Sequence, residues 1–474
     1  MTEALSWSGL DLVTRLDARV RGTVPMQASG ISIDTRTLQP GDLFFAIKGD
    51  SQNGHDHVET ALEKRAAAAV VDEDHADALG LVGPLYIVRD TLRALEDLGR
   101  AARARMEGRV IAVTGSVGKT STKEALRTVL SEAGPTHASA ASYNNHWGVP
   151  LTLARMPAAT RFGVFEIGMN HAGEITPLVA MVRPHIAIVT TVAPVHLEFF
   201  SGIEAIADAK AEIFSGLEPG GLAIINRDDS TYERMRAHAE ASPARHVLSF
   251  GDHDAADASL DTLTPLGDGS LVRATVLGQL VNFHLGAPGR HMALNALAIL
   301  LAAKASGLDL AEAAASLGRV TAGQGRGQQS RIEVGGGSIT LIDESYNANP
   351  ASMRAALNLL GTAMPGPNGR RIAVLGDMRE LGPQAPDLHR GLAEPVRTNA
   401  VDLVFAAGPL MRDLVDILPA ACRGAWAETA DGLVAELLAT LRAGDVVMVK
   451  GSNASRMGPL VQTLKTHFSQ TVAA

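Results

Sequence analysis

The chain has a single cysteine, Cys422, among 474 residues. One thiol excludes an intrachain disulfide and a cysteine-ligated zinc site, and it fits a reducing compartment. Long hydrophobic runs are also missing. The longest, residues 296–303, is far shorter than the roughly 20 residues that cross a bilayer. The first ten residues lack a basic segment followed by an apolar stretch, so no secretory leader is expected. Together these absences point to a cytoplasmic protein without stable membrane insertion. Positive charge is scarce as well. Lys and Arg number 42 against 51 Asp and Glu, a formal net charge of -9. A broad basic face for nucleic acid is therefore not expected. Local phosphate binding stays open, because a few backbone amides and cations suffice for it.

The composition that remains, 46% hydrophobic and 20% charged, is that of a globular protein. The length calls for two to four domains. Three blocks emerge: 1–106, 107–325 and 326–474. The first carries short strand-like runs at 41–47, 68–71 and 85–88, and a helix over 92–105. In the second, apolar strands at 110–113, 163–167, 186–191 and 222–225 alternate with helical patterns such as 203–214, and a helix over 291–305 closes it. That alternation predicts a mostly parallel α/β sheet. A Gly- and Gln-rich stretch, 322–330, reads as the linker. The third block repeats the alternation, with strands at 339–342, 371–375, 403–406 and 446–449, and predicts a doubly wound sheet. The fold class is thus α/β throughout.

The sharpest local signal is Thr114-Gly115-Ser116-Val117-Gly118-Lys119-Thr120-Ser121, between an apolar strand and a helix. A phosphate loop needs glycines for close amide approach, a lysine charge for the β- and γ-phosphates, and a hydroxyl for magnesium. Val113 stands where the general pattern has its first glycine. The competing reading is a glycine turn capping a helix; the strand before and the amphipathic helix after disfavour it. A phosphate loop names no reaction, since motors, switches and kinases share it. Asn226-Arg227-Asp228-Asp229 faintly resembles a guanine-reading element, although an ordinary loop explains it as well. Glu166 and His196 fall at strand ends, with Lys210 and Glu212 on the following helix. In an open α/β sheet, strand ends are where ligands bind. Singly, these are a strand-end charge, a loop histidine and a solvated helix face. Their shared position beside the loop favours a metal and phosphate site.

These residues, in this order, resemble the Mur ligase family of peptidoglycan synthesis over essentially the whole chain. The likeness is carried by the loop 114–121, Asn144-Asn145-x-x-Gly148-Val149-Pro150, Glu166-Ile167-Gly168, His196-Leu197-Glu198, Ala209-Lys210-x-Glu212-Ile213-Phe214 and the helix bearing Asn295. Glu344-Ser345-Tyr346-Asn347-Ala348-Asn349-Pro350 and Gly376-Asp377-Met378-x-Glu380-Leu381-Gly382 resemble the branch that adds D-alanyl-D-alanine. Lys450-Gly451-Ser452 resembles the family's C-terminal loop. The chain departs from the pattern at Glu344, where the branch has Asp, at Met292, where it has Asn, and at Asn453, where it has Arg.

The resemblance implies an ATP-dependent ligase that forms an amide bond through an acyl phosphate and serves cell-wall biogenesis, cell shape and division. It implies three domains: a small α/β domain for a uridine nucleotide, a central phosphate-loop ATPase domain, and a Rossmann-like C-terminal domain for the incoming dipeptide. Asp34, Thr35, Arg36 and Lys48 would bind the uridine diphosphate sugar, with Gly54-His55-Asp56 nearby. Asn144 and Asn145 would face substrate. Gly115, Ser116, Gly118, Lys119, Thr120 and Ser121 would cradle ATP, with Asn295 against the adenine, Glu344 at the ribose and Arg326 reaching the phosphates. Thr120 and Glu166 would hold one Mg²⁺, and His196 with a carbamate on Lys210 a second. Lys119, Lys210, His196 and Arg326 would carry the catalysis. Tyr346, Asn347 and Asn349 would lie near the peptide substrates, UDP-N-acetylmuramoyl-tripeptide and D-alanyl-D-alanine. A monomer is expected. A sister ligase using another amine, or glutamate on folate, is the nearest alternative. A nucleotide-controlled binding protein is a remoter one.

Overall fold

The computed structural model describes residues 7–49, 52–80, 83–140, 142–195, 197–266 and 269–471. Its three large sheets use successive stretches of chain. The first has five strands in the order Arg19–Arg21, Leu85–Val88, Ala68–Asp72, Asp42–Phe45 and Gly30–Ser32, parallel except for the first pair. All four residues of Leu85–Val88 are buried, as expected where both faces of a parallel sheet are covered. One cover is the helix Thr91–Arg105, whose Ala94, Leu95, Leu98 and Ala102 pack with Phe45, Val70 and Tyr86. Leu151 and Ala154 of the second block join that core, so the first two blocks share apolar contacts.

The second sheet has nine strands. In order they are Gln279–Leu285, Ser270–Val276, Ala258–Pro265, Ala244–Gly251, Gly221–Asn226, Ile186–Val189, Arg109–Thr114, Phe162–Glu166 and Thr136–Ala138. The seven from Ala258–Pro265 onward are parallel, and the two edge strands before them are antiparallel. The expectation of a mostly parallel sheet holds, with this antiparallel meander added. The helix Arg290–Ala305 packs beneath it, contributing Ala293, Ala296, Leu297, Leu300 and Leu301 to the core. It does not close the block, as expected from sequence, because the helix Leu310–Ser316 follows and buries Leu310, Ala313 and Ala314 in the same cluster.

The third sheet runs Gln328–Val334, Gly337–Glu344, Val446–Lys450, Arg371–Gly376, Leu403–Ala407 and Arg423–Ala427. All pairs are parallel except the first. Helix Pro350–Thr362 covers one face, and Val434–Thr440 with Met457–Thr471 the other, which makes the sheet doubly wound. The linker expected at 322–330 is shorter. Residues 328–330 already pair with Asp343, Ile342 and Leu341. Residues 325–327 are stitched to the same strand end. Gly325 N–H donates to Asp343 Oδ2 at 3.1 Å, Gly327 N–H to Asp343 O at 2.8 Å, and Tyr346 N–H to Gly325 O at 3.1 Å.

Candidate active site

The phosphate-loop sequence sits at the carboxyl end of Arg109–Thr114, an inner strand of the second sheet. Its glycines are required by geometry. Gly118 has φ +89°, and a Cβ there would stand 2.7 Å from Asn295 Nδ2. A Cβ at Gly115 would stand 2.0 Å from Thr190 Oγ1. The loop feeds the helix Lys119–Ser131, whose first amides have no intrahelical partner and whose dipole favours an anion. Lys119 Nζ folds back to donate to Gly115 O at 2.7 Å. Burial lowers the pKa of Lys119, Glu166 opposes that shift, and the Arg326 charge adds to it.

Thr120 and Glu166 are both buried beside the loop. Thr120 Oγ1 donates to Glu166 Oε2 at 2.8 Å, and Asn144 Nδ2 donates to Oε1 at 2.7 Å. A hydroxyl and a carboxylate held this way are hard oxygen ligands suited to Mg²⁺. Ser116 ties the loop to the next strand end: its N–H donates to Thr191 O at 2.7 Å, and its Oγ donates to Ala193 O at 3.0 Å. That segment runs on to His196, which lies outside the described residues. Lys210, on the helix Ile203–Ala211, is 2% exposed, and burial, with the Lys119 charge, holds its pKa well below that of a free lysine. It has no hydrogen bond or ion pair among the described residues. Glu212 starts a separate 3-10 turn, and its carboxylate accepts from Gly173 N–H at 2.6 Å and Thr176 N–H at 3.0 Å.

The third sheet contributes the opposite wall. A cavity of about 360 Å³ is lined by loop residues 116–121, Asn144, Glu166 and His291 on one side, and by Arg326, Glu344, Tyr346, Asn347, Asn349 and Lys450 on the other. Lys450 is buried, and its Nζ reaches Glu344 Oε2 at 3.2 Å and Asn347 O at 2.9 Å. The sequence singled out Lys450 only as part of a motif. Asn349 is also a helix cap: Ser352 N–H donates to its Oδ1 at 2.8 Å, and Asn349 N–H donates to Ser352 Oγ at 3.0 Å. A second cavity of about 710 Å³ adjoins, sharing Thr120, Ser121, Ser142, Arg326 and Tyr346 and adding Met292, Asn453 and Arg456. Asn295 is 6% exposed and packs on Gly118, so its visible contact is with the phosphate loop.

Other expected residues lie apart from this cavity. Asn145 Oδ1 accepts from Gly148 N–H at 2.9 Å at the start of the helix Gly148–Ala154. Asp34, Thr35, Arg36 and Lys48 belong to the first block and do not line the phosphate-loop cavity. Arg36 binds Asp34 through Nε at 2.9 Å and Nη2 at 2.7 Å, which lowers the Asp34 pKa. Nearby, His55, Asp72 and His75 cluster within 4.8 Å, a candidate metal site by composition. The ring geometry argues against it. The two imidazoles stack with centroids 4.0 Å apart and planes 14° off parallel, so their in-plane lone pairs cannot converge on one ion. His55 Nε2 moreover accepts from Asp72 N–H at 3.1 Å. Asn226 is engaged internally as well, donating to Thr190 O at 3.1 Å and accepting from Asp228 N–H at 2.9 Å. It has little left for reading a base.

Three family models match the chain in order: "Mur ligase family, catalytic domain" at residues 27–104, "Mur ligase middle domain" at 113–303 and "Mur ligase, glutamate ligase domain" at 330–453. The UDP-N-acetylmuramoyl-tripeptide–D-alanyl-D-alanine ligase of Escherichia coli is 34% identical over 440 residues, covering 92% of this chain and 93% of that one. The enzyme of that name from Rickettsia prowazekii is 29% identical, covering 96% and 99%. A crystal structure of MurF from Acinetobacter baumannii superposes with a TM-score of 0.85 at 27% identity, covering 98% and 99%. A phosphate loop faced by a third α/β sheet, with these matches along nearly the whole length, places the chain in the Mur ligase family.

Proposed function

We propose that the protein is a cytoplasmic, monomeric, ATP-dependent ligase that joins D-alanyl-D-alanine to UDP-N-acetylmuramoyl-tripeptide. The observation that carries this reading is one cavity in which the phosphate loop and the Thr120–Glu166 pair face Arg326, the Glu344–Lys450 pair and Asn347 from the third sheet. The E. coli and Rickettsia relatives carry the name of this activity. In this reading, residues 1–106 hold the uridine nucleotide through Asp34, Thr35, Arg36 and Lys48. Residues 107–325 hold ATP through the 115–121 loop, with Asn295 toward the base. Residues 326–474 seat the dipeptide near Tyr346, Asn347 and Asn349, while Glu344 meets the ribose.

The reaction brings two anions together. The tripeptide carboxylate attacks the γ-phosphate, an acyl phosphate and ADP form, and the dipeptide amine then displaces phosphate. Lys119 and Arg326 supply cations where negative charge accumulates. Lys119 turns from Gly115 O to the phosphates once a nucleotide fills the loop. Thr120 and Glu166 would hold one Mg²⁺, which when bound supplies further charge neutralisation. The buried Lys210 favours the neutral amine, whose lone pair can add to CO₂, forming an N–C bond and releasing a proton. The resulting carbamate would present oxygens to a second Mg²⁺ alongside His196. Closure of the third block excludes water, which would otherwise hydrolyse the acyl phosphate.

The test is phosphate release with defined substrates. Release dependent on both UDP-N-acetylmuramoyl-tripeptide and D-alanyl-D-alanine supports the reading. Because the model matching 330–453 is described as a glutamate ligase domain, free amino acids belong in the same assay. Release only with a free amino acid would assign a sister ligase instead.

A further inference from the structure

We propose that Ser142, which no motif singles out, is a positioning residue that latches the third block onto the phosphate-loop block. Its Oγ receives two donors from beyond the linker. Tyr346 O–H donates at 2.7 Å and Arg326 Nη2 at 3.3 Å. The same two side chains stack, with Arg326 Cζ 3.9 Å above the Tyr346 ring. All three residues line both the 360 Å³ and the 710 Å³ cavity, so the cluster stands where the two adjoin.

The backbone gives this contact its consequence. Gly325 and Gly327 are bonded to Asp343, and Gly325 also accepts from Tyr346 N–H, so Arg326 travels with the third sheet. Gly323 has open space around the position of a Cβ, so the free part of the linker lies before Gly325. Arg326 therefore reaches the phosphate loop only when the third block is seated, and Ser142 is the fixed point it meets. Ser142 is also joined to the expected magnesium site. Its carbonyl accepts from Asn144 N–H at 2.8 Å, and the Asn144 amide holds Glu166. Seating of the third block is thus sensed at Glu166 through a short, continuous path.

The inference rests on the ligase reading for its kinetic arm only. The structural arm is trypsin cleavage after Arg326 in the full-length protein, followed as release of the fragment beginning at Gly327. Ser142→Ala and Tyr346→Phe should each speed that cleavage about fivefold, the scale of one partly buried hydrogen bond. Ser142→Thr, which keeps the hydroxyl, should cleave at the wild-type rate. In the ligation assay, Ser142→Ala should lower kcat about fivefold and leave KM for the uridine nucleotide within about twofold, since the latch acts after binding. The double variant should be no worse than either single one, because both remove the same contact. Unchanged cleavage in both single variants, or multiplied effects in the double, would overturn the latch. Faster cleavage in a protein without ligase activity would keep the latch and remove the reaction.

Discussion

Lys119 and Lys210 are two buried lysines whose pKa values both fall, and the difference between them is chemical. Lys119 faces Glu166 and has a carbonyl partner, so its charge is supported. Lys210 has only the repulsion of Lys119 as a named charge partner, so burial drives it toward the neutral amine. Lys119→Ala should reduce kcat at least a hundredfold, the usual loss for one group stabilising transition-state charge. Lys210→Ala should lose about as much, and added bicarbonate should not restore it, since no amine remains to carbamylate. Full activity in Lys210→Ala would refute the carbamate. Asp229 offers a test by pH. Burial pushes its carboxyl from 3.8 up to about 7, although its Oδ2 accepts from Val192 N–H at 2.7 Å. Between those values the folded protein keeps a proton that the unfolded chain has released. Stability from this group is therefore present below about pH 4 and falls as pH rises to about 7. Urea midpoints of wild type and Asp229→Asn across that range should show the wild type losing ground, and parallel curves would contradict it. Ser142 marks the limit of sequence reading at this scale. A serine in a loop has no spacing to betray it, and its value depends on Arg326 and Tyr346 arriving from far along the chain.

The phosphate loop was legible because each of its requirements is local: an apolar strand, glycines, a lysine and a helix start. Gly118→Ala tests that directly. A left-handed φ costs a non-glycine residue about 1–2 kcal/mol, and its Cβ would press on Asn295. Nucleotide affinity should fall at least about tenfold, with the thermal midpoint lowered, as measured by calorimetric titration and melting. Strands such as Leu85–Val88 were legible because burial on both faces writes a continuous apolar run. The meander 258–285 was not. In Ser270–Val276 buried and open residues alternate, and its short one-sided pattern competes poorly with the runs around it. The linker was set too long because 328–330 are polar, yet they form a strand through backbone pairing with 341–343.

At the scale of the whole molecule, three α/β blocks meet so that the phosphate loop of one lies opposite Lys450, Glu344 and Asn347 of another. The motifs announced which residues matter, but only the fold shows that Asn349 caps a helix while lining the cavity and that Asn145 is spent on a helix start. No helix among the described residues is long and apolar enough to cross a membrane. The decisive measurement is ATP turnover in the purified protein with UDP-N-acetylmuramoyl-tripeptide and D-alanyl-D-alanine added separately and together. The expected result is one ADP and one phosphate per amide bond, with negligible turnover when either peptide is omitted. ATP left unconsumed with both present, or phosphate released only with free amino acids, would contradict the proposed reaction.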